Sequence, residues 1–503
     1  MAVINILQEA PSSSLYTRLA NALSEGSSFR FHHASTPPTK SDPLFAPLPG
    51  EKQQRTYCES HLLTVSIDRP GSADDREVFI FAIEILIYTT KNLTTLFVSK
   101  ADSTGYLNLL HPIRSSAPSP IRVVTSTFVS WLAESRRRPG VRLVVSLFAR
   151  AQDQYLFPGS VENSGKHVLD DRQLVKWWCK TLDPVLRGTS QHTDHDREAA
   201  QAYVIVPGFD KHETSSFFPP SWRSDPIHAP KWQHGHPLRD IAPSPNAPPR
   251  CLVPHFPDDP KARYLDELDD EIPDQSSSQT LFSPSKKGRG VWKSIKTLEQ
   301  FWDSMSFRQE CSSGRLVGFV WLVFPPPDPV VAAVDFPFDL HGPTSPLSTG
   351  LLDPMVATSP WMTVSRQAKR VTNLKKRVRR RPLTGPIISR QPKIKSGSSD
   401  MSTSSQPDES PYYTWPKQGR GQVVLDHTSY LRVHDLLLRL DFSSADAATK
   451  STCKWINEVK DDRGIPVGWG AVVAGLSVGT IPGVNLAATE VYVFVYFSQR
   501  TTS

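Results

Sequence analysis

REVFIFAIEILIYTT, residues 76–90, alternates Phe79, Phe81, Ile83, Ile85 and Ile87, and its other face is also largely apolar. Strict alternation is the period of a strand, and apolar residues on both faces mark a buried one. LTTLFVSKAD (93–102) follows across a short Lys91-Asn92 break, so the two make a hairpin or neighbouring strands.

Outward from this pair, strands and helices take turns. SSSLYTRLANALSEG (12–26) places Leu15, Leu19 and Leu23 one turn apart in a short amphipathic helix, and 31–57 reads as proline-rich loop. After the pair come a helix from about Ile121 to Ser135, the strand VRLVVSLFAR (141–150), the helix DRQLVKWWCKTL (171–182) and the strand QAYVIVPG (201–208). Later segments are an acidic helix at 258–271, an amphipathic helix at 291–310, a strand at 314–324, and a strand and helix within 421–442. This order predicts an α/β fold with a central mixed β-sheet surrounded by helices.

Composition adds the interruptions. The 503 residues include 45 prolines, only 38% are hydrophobic, and the net charge is +7. Flexible inserts are expected at about 209–257, 272–289, 325–362 and 382–418, with a basic segment at 369–381. Core-like sequence on both sides of the inserts argues for one domain over 1–470 and an atypical tail at 471–503. The tail's apolar run is broken by Pro482, Asn485 and Glu490 and reads as two buried strands, so no membrane partner is expected. KKRVRRR (375–381) suits a nuclear-import signal first, a DNA contact second and an inert charge run third.

Five cysteines without a CxxC argue for reduced thiols and against a disulfide framework or structural zinc. MAVINILQEAPSSS has neither basic leader nor apolar core, so no secretory signal is expected. No G-x-G-x-x-G follows a strand, and Walker A, H-E-x-x-H and G-x-S-x-G sequences are missing. The histidines of QHTDHD (191–196) and HGH (234–236) read as solvated, and no metal is expected.

Three short features carry chemistry of their own. Ser119-Pro120-Ile121-Arg122 opens a helix, with Ser119 as cap and Pro120 at the first helical position; free amides and Arg122 there suit a pyrophosphate. Trp177 and Trp178 point about 100° apart on a helix, so one indole serves the core stripe of Leu174 and Leu182 and the other is spare. Asp258-Asp259-Pro260-Lys261 offers a paired acid, and equally reads as the acidic start of a helix.

FVSKADSTGY (97–106), SPIRVVTSTFVSWL (119–132), LVVSLFARAQDQYLFPGS (143–160), KHVLDDRQLVKWW (166–178) and FPDDPKARYLDELDDE (256–271) together resemble one family. So do RRRPLTGPIISRQPKIK (379–395) and GRGQVVLDHTSYLRVHDLLLRLDF (419–442). It is the fungal histone H3 acetyltransferase family called the regulator of Ty transposition, similar in fold to the acetyltransferase domain of the CREB-binding protein. The resemblance implies a nuclear enzyme that moves acetyl from acetyl-CoA to histone H3 lysines, including one at the edge of the histone fold. It also implies work on H3–H4 with histone chaperones in replication-coupled nucleosome assembly and the DNA-damage response.

By the same resemblance, Ala101, Asp102, Ser103, Ser119, Ile121, Arg122, Phe148, Gln152, His167, Val168, Leu169 and Trp177 bind acetyl-CoA. Asp259, Asp258 and Trp178 are catalytic, and Lys261 is autoacetylated. The related domain carries a tyrosine where Trp178 falls; an indole N–H cannot act as a general acid, so Trp178 is expected to orient the thioester instead. A lysine near pKa 10.4 must be deprotonated to attack, and Asp259 is favoured as the base, with Asp258 as the like-charged neighbour that would tune it. Phe148 and Trp178 are expected to line one water-poor slot joined to Asp259. A catalytically silent chromatin scaffold is the competing reading.

Overall fold

A computed structural model describes residues 14–48, 50–69, 77–110, 118–188, 199–272, 292–308, 315–327, 407–463 and 469–477. Every described element belongs to one compact unit drawn from residues 1–330 and 406–503. The basic segment at 369–381 lies outside the described residues, as do the expected inserts at 272–289, 325–362 and 382–418 except for residues 272, 325–327 and 407–418. In the last stretch Tyr413 and Trp415 are buried, so that part is not a flexible insert.

The strands are β1 Ser28–Ser35, β2 Thr39–Ser41, β3 Thr56–Asp68, β4 Glu77–Thr89, β5 Leu93–Ser103, β6 Arg142–Arg150, β7 Gln201–Ile205, β8 Trp232–His234, β9 Val317–Phe324, β10 Val423–Val424 and β11 Ala471–Ala474. The helices are α1 Leu15–Ala22, α2 Pro120–Ser135, α3 Asp171–Gly188, α4 Lys211–Ser215, α5 Leu238–Ile241, α6 Pro249–Leu252, α7 Pro260–Asp269, α8 Leu298–Met305, α9 His427–Leu437 and α10 Ala445–Arg463. The strands join in one 11-stranded sheet of order β10-β1-β3-β4-β5-β6-β9-β7-β8, with β11 beside β1 and β2 beside β3. β5–β6, β7–β8 and β1–β10 are parallel and the other pairs antiparallel, so the sheet is mixed as expected.

β4 holds the position its sequence demands, between β3 and β5, with 11 of its 13 residues from Val78 to Thr89 buried. α2 and α3 cover one face. On that side His33 of β1 meets Phe128 and Trp131 of α2, and Gly318 of β9 lies against Val175 of α3. α10 covers the other face through Trp455 against Phe79 of β4. α7 and α8 cover that second face farther along, where Trp302 meets Phe319 and Trp321 of β9. Burial of large apolar side chains at about 25 cal/mol per Å² drives both layers.

Several expectations are corrected. Residues 31–57 are not all loop, because SFRFHHAS forms β1 and pairs with β3, itself unread in the sequence. Residues 209–257 are not a flexible insert. Phe217, in the turn after α4, is buried there with Trp232, Leu238, Ile241 and Leu252, which sit in helices of four residues and a three-residue strand too short to show periodicity. The helix expected over 291–310 is confined to α8, because the capping box of Thr297 and Gln300 starts it late. In the tail, β11 supplies one strand on β1, and 478–503 lie outside the described residues. The histidines of HGH are packed rather than solvated: His234 Nδ1 lies 3.0 Å from Thr214 Oγ1, and His236 stacks on Trp302. QHTDHD lies outside the described residues.

Candidate active site

β5 and β6 pair in parallel from Leu93–Arg142 as far as Phe97–Ser146, while β5 continues to Ser103 and β6 to Arg150. Among the described residues the two strands part beyond that point, so their C-terminal halves present backbone N–H and C=O groups towards each other across a gap. Such a crevice at the carboxyl ends of parallel strands is where ligands enter open α/β sheets. α2 is the crossover from β5 to β6, which brings its N-terminus to the same edge. Ser119 is exposed and makes no side-chain cap bond, Pro120 fills N1, and Ile121 and Arg122 are half-buried.

The Lys100–Ser103 segment is strand rather than turn, still paired with Glu84–Phe81 of β4 after a bulge that leaves Ser99 unmatched. Ala101 and Ser103 are half-buried and Asp102 is buried. The Asp102 carboxylate is an anchor. Oδ2 accepts from the backbone N–H of Tyr155, Leu156 and Phe157 at 2.7, 2.9 and 3.1 Å, and Oδ1 accepts from Ser103 N–H and from the Lys166 ammonium at 2.9 Å. The loop leaving β6 is thereby tied back to β5, across the edge where the strands part. Gln152 is exposed on this loop. His167, Val168 and Leu169 lie between the anchored Lys166 and Asp170, whose carboxylate accepts from Gln173 N–H at the start of α3.

The second face carries the acid and the lysine. Asp259 caps α7, with Oδ1 accepting from Lys261 N–H at 2.9 Å and Oδ2 from the Lys261 ammonium at 2.5 Å. Both side chains are about fully buried, at 1% and 2% exposure. The ammonium also sits 4.1 Å from the centroid of Phe319 and 5.9 Å from that of Trp321, a cation over two aromatic faces. Asp258 behaves otherwise: 62% exposed, it pairs with Lys100 Nζ at 3.2 Å. The two acids therefore have separate cations, and the expected like-charged coupling between them is replaced by two ion pairs. Burial works against the Lys100 charge, but Glu84 and Asp258 beside it hold its ammonium above the usual lysine range.

Side-chain alternation decides the rest. Leu143, Val145, Leu147 and Ala149 of β6 pack with Trp178, Val175 and Cys179 of α3, whereas Val144 and Phe148 pack with Phe97, Phe256, Phe319 and Trp321. Phe148 and Trp178 thus lie on opposite faces of the sheet. The single slot lined by both is corrected to two walls separated by the plane of the strands, on either side of the place where β5 and β6 part. Trp178 is the core indole, in the stripe Val175, Trp178, Cys179, Leu182; the half-buried Trp177 is the spare one, edge-on to it at 4.9 Å. A cavity of ≈ 350 Å³ at the start of α3 is walled by Asp171, Arg172, Phe209, Arg315 and Leu316, and by neither tryptophan nor Asp259.

Sequence reading missed Lys100, Glu84, Phe319, Trp321 and Lys166. Only GFVWLVF held a signal, since Phe319 and Trp321 are two apart and must share a face. Among the described residues no group of three metal-ligating side chains gathers, and no helix is long and apolar enough to cross a membrane.

A mixed sheet with a parted parallel pair, a helix N-terminus at the gap and a buried carboxylate beside it defines the class, and comparison with known proteins agrees. Residues 15–141 and 138–458 match the family described as histone acetyltransferase KAT11-type domain, and the chain belongs to that family. It is 44% identical over 465 residues to the histone acetyltransferase rtt109 of Aspergillus flavus, spanning 88% of this chain and 80% of that one. With the histone acetyltransferase rtt109 of Schizosaccharomyces pombe it shares 31% identity over 312 residues, 60% of this chain and 69% of that one. The crystal structure of Rtt109 from Aspergillus fumigatus superposes with a TM-score of 0.69 at 40% identity, covering 92% of this chain and 100% of that chain. The protein is an acetyltransferase with acetyl-CoA as cosubstrate and histones as its substrate class, and the silent-scaffold reading falls.

Proposed function

We propose that this chain acetylates lysines of histone H3, including one at the edge of the histone fold, with Asp259 as the base and Lys261 as its switch. The reading is carried by one observation: a buried carboxylate with both oxygens committed to one lysine, on the face where Phe148, Phe319 and Trp321 exclude water.

The residues at the gap fit acetyl-CoA. Strand edges at 98–103 and 147–150 match a pantetheine chain of amides, and the α2 N-terminus with Ser119, Ile121 and Arg122 matches a pyrophosphate. Acetyl-CoA, when bound, supplies an activated acetyl group as a thioester. Ala101 and Ser103, Gln152 and the His167–Leu169 stretch border its path; Asp102 contributes by fixing the loop. Phe148 walls the gap on one face, while Trp178, with Trp177 beside it, walls the other.

Asp259 must receive the proton of the incoming lysine. While Lys261 is charged, both carboxylate oxygens are occupied. In autoacetylation the Lys261 ammonium first gives up a proton, its neutral amine takes the acetyl group of acetyl-CoA, and CoA leaves as the thiol with one net proton released to solvent. The resulting neutral amide leaves Asp259 without its cation and free to accept a proton. Asp258 acts through Lys100 rather than on Asp259 directly.

A nuclear location, H3–H4 presented by histone chaperones, and a role in replication-coupled nucleosome assembly and the DNA-damage response follow from the same reading. One catalytic domain over 1–470, with DNA contact through 375–381 secondary, completes it. Mass spectrometry after exposure to acetyl-CoA, with and without H3–H4 and a chaperone, tests it: acetyl on Lys261 and on H3 supports the proposal. Unlabelled Lys261 in protein that acetylates H3 at full rate refutes the switch.

A further inference from the structure

Among the described residues, Asp258 alone of the non-glycine residues has a left-handed backbone, at φ 57°. Most L-residues avoid that region because Cβ crowds the following carbonyl. Aspartate tolerates it better than most but still prefers extended or helical backbone, so contacts that favour the left-handed form can set its population. Its side chain is largely exposed, so packing does not supply them. An ion pair does: Lys100 Nζ lies 3.2 Å from Asp258 and 3.4 Å from Glu84. Glu84 is buried and fixed in turn, accepting from the Tyr430 hydroxyl at 2.9 Å with His434 Nε2 at 3.6 Å. A continuous polar chain thus runs from α9 through β4 and β5 to the residue before Asp259. The bulge at Ser99 shifts the strand by one residue and turns Lys100 onto the face of Glu84.

We propose that Lys100 is a positioning residue for the transfer reaction: clamped between Glu84 and Asp258, its ammonium keeps Asp258 left-handed and so fixes how the chain enters α7 with Asp259 at its cap. The inference rests on Asp259 being the catalytic carboxylate and adds the device that aims it. An ordinary surface ion pair would move stability a little and nothing else; this one is anchored on a buried carboxylate and ends on a left-handed residue at the entry to α7.

The test combines hydrogen exchange over residues 256–262 with steady-state kinetics on acetyl-CoA and H3–H4. Lys100→Met is expected to speed exchange there and to lower kcat about tenfold or more, with KM for acetyl-CoA changed by about twofold at most. Lys100→Arg should recover most of the rate. In the Lys100→Met background, Asp258→Gly should restore exchange protection and part of kcat, because glycine is left-handed without a steric penalty; Asp258→Ala should not. Wild-type exchange and kcat in Lys100→Met, or Gly and Ala behaving alike, overturns the proposal. If Lys100→Met does not fold, the Gly and Ala variants in the native chain decide it: equal kcat refutes it, a slower Ala variant supports it. Full turnover in Asp259→Asn would refute the carboxylate reading alone, leaving the exchange result to judge Lys100.

Discussion

Asp259 and Lys261 are joined twice within the first turn of α7, by the Lys261 N–H at 2.9 Å and by its ammonium at 2.5 Å. A buried pair of this kind resists loss of either partner, because the survivor stays desolvated and unpaired. Lys261→Met should therefore lower unfolding free energy by about 3–5 kcal/mol in urea titrations. Lys261→Arg keeps the cation and cannot be acetylated by the same chemistry, so its turnover should fall about tenfold, below that of Lys261→Gln. Arginine and glutamine variants with equal kcat would show that charge at this position does not govern Asp259.

Asp102 accepts five hydrogen bonds, four from backbone N–H groups and one from Lys166. Asparagine offers one oxygen in place of two and turns an NH₂ group towards donors. Charge-assisted bonds are worth about 1.5–3 kcal/mol each, so Asp102→Asn should loosen the 151–160 loop and raise KM for acetyl-CoA. Limited proteolysis in that loop, together with kinetics, checks it. A protected loop with raised KM would instead point to direct contact between Asp102 and the cosubstrate.

The central strands were legible because their apolar alternation is long: β4 and β6 match their sequence reading to within a residue or so. β1 was hidden by its polar SFRFHHAS, whose His32 and His33 are buried against aromatic rings. α10, 19 residues long, is hard to read because its buried face mixes small and polar Ala448, Thr449, Ser451 and Thr452 with Trp455 and Val459. At the site, the family resemblance drew attention to Asp259 and Lys261, which their own sequence marks equally as a helix start, and period-3.6 logic identified the need for a spare indole, though burial reversed the emphasis between Trp177 and Trp178. What spacing could not supply was the face on which each strand residue stands. One bulge at Ser99 and the parting of β5 from β6 set that, and neither leaves a mark in composition.

Gly318 on β9 lies directly under α3: a Cβ there would lie 2.6 Å from Val175 Cγ2. Valine is stiff at χ1 and cannot swing aside. Gly318→Ala should cost about 1–3 kcal/mol of stability, as overpacking does, and Val175→Ala should return much of it in the double variant. Additive losses in urea melts would mean the helix simply shifts.

His32 gives the fold an acid limit. It is fully buried on β1, edge-on to Trp469 at 4.9 Å and Phe79 at 6.0 Å. Burial first, and then the Arg30 charge, push its pKa from 6.5 down to about 3, with the Trp469 backbone opposing them only in part. Between those values the unfolded chain holds the extra proton, so stability must fall as pH drops through the window and is unaffected by this group above it. His33 and His61, also lowered by burial, act in the same direction, and so does Glu59, which Arg136 and His61 hold below its ordinary range although burial alone would raise it. Thermal melts from pH 7.5 to 4 should show Tm declining below about 6.5, with a shallower slope in His32→Leu. Parallel slopes in the two proteins would mean that His32 takes up its proton without unfolding the sheet.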